Sequence, residues 1–179
     1  LDYPGRYPKS DFLRYLVTHH DVLLHGTNAS DLAELAPRPQ DDYNGNPVTA
    51  VFASSDGIWP QFFAIIDRLT FDGSMRNGCF VLDDGAVEER RYFFSVNGDW
   101  LQRRRWTTGT IYVLPRATFR PAGTSAVRFD EWISEAAVKP LFKVTIAPDD
   151  FPFLSRVSGH AETESVFDTW LNYKKRVTQ

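Results

Sequence analysis

A change of hydrophobic period along the chain limits its possible folds more than any other feature. Up to Leu69 the apolar residues recur at helical spacing or gather in apolar runs. Beyond it they fall in short segments rich in aromatic and β-branched side chains: GCFVL at 78–82, RYFFSV at 91–96, DWLQRRRW at 99–106, TIYVL at 110–114, ATFRP at 117–121 and PLFKVTI at 140–146. Turn residues separate these segments, so they predict strands. The expected result is an α+β chain with helices mostly early and antiparallel strands mostly late. The 179 residues fit one domain, 1–179, and a 42% hydrophobic, 15% aromatic composition supplies its core.

Local signals refine this outline. Ser10 can cap a helix whose face carries Phe12, Leu13, Leu16 and Val17 and which ends near His19 and His20. The run DVLLHG predicts a first strand, and Ser30 followed by Glu34 predicts a short helix after it. The Pro, Asn, Asp and Gly of 36–49 read as a surface loop. TAVFASS predicts a second strand, and 55–69 a helix capped by Ser55 or Asp56, with Pro60 in its first turn. Phe62, Phe63, Ile65, Ile66 and Leu69 make that helix apolar around much of its girth, so it should be buried. Asn97-Gly98 predicts a two-residue hairpin. Arg103, Arg104 and Arg105 then lie on a charged edge strand. The segment 162–177 predicts an amphipathic helix with acids at its start and Lys174, Lys175 and Arg176 at its end.

Several function classes are disfavoured. A net charge of -3 gives no general attraction to nucleic acid or to an anionic membrane. The single cysteine, Cys79, excludes an internal disulfide and a cysteine zinc site and suits a reducing cytoplasm. No run approaches a membrane span and the first residues lack the pattern of a signal peptide, so a soluble, cytoplasmic protein is expected. His19, His20, His25 and His160 have no ligand-like spacing, and no metal is expected. A Gly-rich phosphate loop after a strand is missing, as is a Gly-x-Ser-x-Gly elbow.

The first strand ends in His25, Gly26 and Thr27, three residues that stabilise a core poorly. Later, AVFASSD leads from a strand into a helix with aromatic residues, and FDEWIS sets an acid beside a bulky ring. This ordered trio resembles the ADP-ribosyltransferase fold, especially its diphtheria-toxin and poly-ADP-ribose-polymerase branch. The resemblance implies two small, mostly antiparallel sheets that form an NAD cleft flanked by helices. It also implies that NAD is the substrate and that ADP-ribose passes to a protein, a nucleic acid, a small molecule or water. By the same resemblance His25 meets the adenosine ribose, Gly26 the nicotinamide carboxamide, Phe52 and Phe63 (or Phe62) the nicotinamide ring, and Glu131 is the catalytic acid. Thr27 completes the first motif, and Ser54 forms part of the pocket wall or, with Ser55, caps the helix. Asp41, Asp42, Tyr43 and Asn44 lie in the segment that often covers the nicotinamide site in this fold.

The chemistry explains the residue types. Breaking the bond between nicotinamide and ribose builds positive charge on the sugar, as in glycoside cleavage. A carboxylate beside the ribose stabilises that charge, aromatic faces hold a flat ring, and glycine admits a close backbone approach. Phe52 departs from the branch, which carries Tyr there; the stacking face is kept and the hydroxyl lost. Phe129 stands where members that modify Arg or Asn carry Gln or Glu, which argues against arginine as acceptor. Glu135 rivals Glu131, but Trp132 matches the aromatic that follows the family's acid. Two other readings stay open. One is an NAD-dependent RNA 2′-phosphotransferase drawing on Arg103 to Arg105 and on Arg116 or Arg120. The other is a non-catalytic module that binds a nucleotide or a partner. The sequence is silent on oligomeric state.

Overall fold

The segment GTIYVLP forms strand β6 (Gly109–Pro115), buried along almost its whole length, and the other elements are arranged about it. In the computed structural model, which describes residues 3–42, 45–83, 88–122 and 128–177, β6 lies between β1 (Val22–Thr27) and β10 (Phe142–Ile146), antiparallel to both. Both faces of this sheet are covered, which is why its strands read as continuous apolar runs. Leu24, Ile111, Val113, Val144 and Ile146 face one core, and Leu23, Tyr112 and Leu114 face another.

The first core is completed by α1 (Lys9–His19), α2 (Trp59–Ile65), α3 (Gly98–Arg103) and a sheet of order β11 (Ser158–His160), β5 (Glu88–Asn97), β4 (Met75–Asp83), β8 (Arg128–Phe129). In that sheet β11 runs parallel to β5 and the other pairs are antiparallel. The second core rests on a sheet of order β2 (Arg38–Asp41), β3 (Pro47–Ala53), β9 (Trp132–Ser134), β7 (Arg120–Pro121), which supplies Val51 and Ala53. The last helix is α4 (Val166–Val177). It seats Tyr173 edge-on against Phe93, ring centroids 5.0 Å apart. Among the described residues no helix is long and apolar enough to cross a membrane.

The α+β class agrees with the sequence, whereas three sheets stand where two were expected. The extra division arises because β1 and β3 pair only through Leu24 and Ser54 before they part. Other expectations failed for identifiable reasons. The segment after β1 is not helical: Leu35 exchanges backbone hydrogen bonds with Val138 (2.8 and 2.9 Å), and the Leu32 N–H donates to the Tyr112 hydroxyl at 2.9 Å. Tertiary pairing overrides the local cap signal. The stretch after Asn97 is helix α3 and not a hairpin and strand. The Asn97 side chain accepts from the N–H groups of Asp99 (2.9 Å) and Trp100 (3.2 Å), a cap in place of a turn. Burial of Trp100 against Trp106, centroids 4.8 Å apart, holds the helix down.

The segment 36–49 is partly ordered as β2, hairpinned on β3. ATFRP divides between a 3₁₀ turn (Arg116–Thr118) and β7. Pro8, not Ser10, precedes the first turn of α1. Leu69 is 97% exposed because α2 ends at Ile65. Neither cap candidate for α2 is its N-cap, which is Ile58; Asp56, two residues earlier, accepts from the N–H groups of Ile58 (2.8 Å) and Trp59 (2.6 Å).

Candidate active site

The parting of β1 and β3 creates a fork. At its base Leu24 and Ser54 exchange backbone hydrogen bonds, both 2.9 Å. In a strand the N–H and C=O of alternate residues point to the same edge, so those of Gly26 face the opening of the fork as those of Leu24 face Ser54. Phe52, the residue that a longer ladder would pair with Gly26, instead offers its carbonyl to His25 Nδ1 at 2.7 Å. Burial holds His25 below the ordinary histidine range; the Phe52 carbonyl opposes that effect, and Arg38 and Arg68 add to it. The ring is therefore neutral. A carbonyl only accepts, so Nδ1 carries the proton and Nε2 is left as an acceptor.

Gly26 is required for a reason the sequence did not suggest. A Cβ there would lie 1.9 Å from the Pro60 carbonyl oxygen and 3.2 Å from the Ala64 nitrogen. Gly109 on β6 is in the same position, with the Ala64 oxygen 1.9 Å from its would-be Cβ. The two glycines let α2 lie directly on the strands, and this places its aromatic residues at the fork.

A cavity of about 250 Å³ fills the fork, and His25, Gly26, Phe52, Ser54, Phe63 and Glu131 all line it. Thr27 does not; its hydroxyl accepts from the Ala29 N–H at 3.3 Å. Phe62, the alternative to Phe63, is fully buried against Phe94, centroids 4.9 Å apart. Glu135, the alternative to Glu131, pairs with Arg120 at 2.7 Å on the exposed surface. Gln40 and Asp41 of β2 contribute to the rim. Asp42 lies on an adjoining apolar groove, and Tyr43 and Asn44 lie outside the described residues.

Two lining residues had not been singled out as ligands. Trp59 packs into the core and is also a cavity wall, with its ring 5.9 Å from Phe63. Arg68 stands at the mouth with its guanidinium 6.0 Å from the Phe63 ring. The Asn28 side chain fixes this corner, donating to the Ala64 carbonyl and accepting from the Arg68 N–H, both at 2.8 Å.

Behind the cavity lies a buried polar knot. Asp130 accepts from the hydroxyls of Ser54 and Ser55, both at 2.5 Å, and pairs with Arg90 at 2.9 Å. Asp56, besides accepting from the N–H groups at the start of α2, accepts from the Tyr92 hydroxyl at 2.7 Å. Burial works against the charge on Arg90, but Asp130 and Asp56 outweigh it and push its pKa up. Burial, then the Asp56 charge, raises the Tyr92 phenol, and burial raises the Cys79 thiol, so neither ionises near neutral pH. The only sequence trace of this knot was the SSD at 54–56 together with the Asp that precedes Glu131.

Glu131 follows Asp130 into a different setting, where the fork cavity, the apolar groove and a larger cleft of about 880 Å³ meet. In the register of β3 with β9, Ala53 faces Trp132, so Glu131 lies next to the continuation opposite Ser54. Of the arginines proposed for a phosphotransferase, Arg103 at the end of α3 pairs with Asp72, Arg120 is held by Glu135, and Arg116 lines the larger cleft. Among the described residues no three His, Cys, Asp or Glu side chains gather as metal ligands would. The fork thus combines an aromatic slot, an open main-chain edge, a neutral imidazole acceptor and a carboxylate at the rim. Such a site can seat a flat ring, orient a sugar hydroxyl and stabilise positive charge developing beside it. The chain matches no family model, no curated protein and no solved structure.

Proposed function

We propose that the protein cleaves the nicotinamide–ribose bond of NAD and transfers ADP-ribose to an acceptor or to water. The observation that carries this reading is convergence. Residues 25–26, 52–54, 59–60, 63 and 131, drawn from three separate stretches of the sequence, line one cavity at a strand fork.

The nicotinamide ring enters between Phe52 and Phe63, and its carboxamide meets the open main-chain edge of Gly26. His25 Nε2 accepts from a ribose hydroxyl. The Glu131 carboxylate takes the 2′-hydroxyl of the nicotinamide ribose and stabilises the positive charge that grows on the sugar as the bond lengthens. Arg68, at the mouth, offers a counter-charge to the diphosphate. Asp130 acts through its neighbour: two hydroxyls and Arg90 clamp it and so fix where Glu131 begins. Phe52 supplies a ring face without the hydroxyl of Tyr, so stacking is retained and one polar contact is absent.

Incubation of the purified protein with NAD, with free nicotinamide as the readout, tests the reading. Wild type should release nicotinamide and Glu131→Gln should not, while calorimetry finds similar NAD affinity in both. Binding without release by wild type would replace the enzyme with a binding module, and absence of both would end the NAD reading.

A further inference from the structure

The fork carries one more cation than the diphosphate of NAD requires. On one wall α2 ends at Ile65, and Arg68 follows it to the mouth of the cavity. On the other wall stands β2, whose side chains alternate between its two faces. Gln40 lines the cavity, so Arg38, two residues earlier, is on the same face. The register agrees. Arg38 pairs with Ala50, which shares with Phe52 the face of β3 turned away from Val51 and Ala53 of the second core.

The charges that bear on the His25 ring are those of Arg38 and Arg68. Both arginines are exposed, so a soluble anion reaches them, and among the described residues neither guanidinium has an ion-pair partner. Carboxylates gather elsewhere. Asp41 lies three residues from Arg38 along an extended strand, about 10 Å away. With Glu131 it borders the apolar groove, which neither arginine does. The fork therefore runs from a carboxylate end to a guanidinium end, with His25 at the latter. NAD with its nicotinamide ribose at Glu131 and its adenosine ribose at His25 follows that gradient. Its diphosphate meets Arg68 at the mouth, and Arg38 is left beside the adenosine ribose with no anion to hold.

We propose that Arg38 binds a phosphate monoester on the 2′-oxygen of the adenosine ribose, so that the preferred substrate is NADP. A guanidinium matches a phosphate through parallel N–H donors, and an arginine beside this sugar is a general means of accommodating the 2′-phosphate. With the 2′-oxygen esterified, the 3′-hydroxyl of the same sugar is the group that donates to His25 Nε2. The bond that breaks, between nicotinamide and the other ribose, is the same. The preference rests on the NAD reading.

The test is calorimetric titration of the intact protein with NADP and with NAD at low ionic strength, joined to nicotinamide release from each. Wild type should bind NADP roughly tenfold more tightly, the effect of one charge-assisted contact. Arg38→Gln should bring the two affinities to within about twofold of each other, and Arg38→Lys should restore part of the preference as a point charge. Arg68→Gln should instead weaken both dinucleotides by a similar factor and keep their ratio. Equal affinity of wild type for the two, tighter binding of NAD, or a preference that survives Arg38→Gln would overturn the proposal. Those results leave the NAD reading standing wherever nicotinamide is released from NAD. A wild type that neither binds nor cleaves either dinucleotide overturns both. Tighter binding of NADP that depends on Arg38, without release, upholds the 2′-phosphate site and removes the enzyme.

Discussion

Asp130 and Glu131 are consecutive in the chain, but they occupy regions built on different principles. Asp130 is 4% exposed, and its oxygens are taken by Ser54, Ser55 and Arg90. Glu131 lines three cavities that meet at its side chain. The polar knot behind the fork lies inside the core, whereas Glu131 lines cavities that a ligand could enter. A carboxylate enclosed by the core serves the fold; one that lines a cavity is placed for chemistry.

This contrast can be broken first at the knot. Asp130→Ala leaves Arg90 without its nearer buried partner and should destabilise the protein by about 3–5 kcal/mol, read from urea unfolding. A loss under 1 kcal/mol would mean that water reaches the knot. The next effect is steric. Gly26→Ala drives a methyl group into the Pro60 carbonyl oxygen and should lower stability by about 3 kcal/mol, because the obstruction is backbone and cannot rotate away. A mild effect there would show that α2 can lift from β1.

Acid should act on the fork and on β11. Burial lowers the pKa of His25, and it does the same for His160, which bonds Ser95 at 2.7 Å and Ser74 at 2.8 Å. The folded protein therefore binds fewer protons than the unfolded chain below the ordinary histidine pKa. The stability from these residues is complete above about pH 6.5 and is lost as pH falls through and below that value. Thermal melts from pH 8 to 5 should show the decline, and His25→Gln should make it shallower; an unchanged slope would assign it elsewhere. The smallest effect belongs to the slot. Phe63→Leu should weaken NAD binding about fivefold through lost ring stacking, with little change in melting temperature.

The strands around β6 were legible because they are buried on both faces and leave a continuous apolar record. The fork residues were legible as types in order: His25 and Gly26 end a strand, Phe52 and Phe63 flank the start of a helix, and Glu131 precedes Trp132. That these segments share a cavity depends on one bridge, Leu24 with Ser54, and on two glycines pressed against α2, neither of which has a local signature. Asn97-Gly98 misled because Asn can start a helix as readily as a turn, and burial of Trp100 decided between them. The pairing of Asp130 with Arg90 was hidden because Arg90 lies on β5 and Asp130 just past β8, with β4 between the two strands in the sheet, and nothing in either segment names the other.

The most direct measurement sets Asp130→Asn beside Glu131→Gln and records nicotinamide release from NAD and urea stability for both. The account predicts that Glu131→Gln loses roughly 100–1000-fold in release with stability within about 0.5 kcal/mol of wild type. Asp130→Asn should lose stability, and its release should fall less. Undiminished release by Glu131→Gln, or a wild type that neither binds nor cleaves NAD, would contradict it.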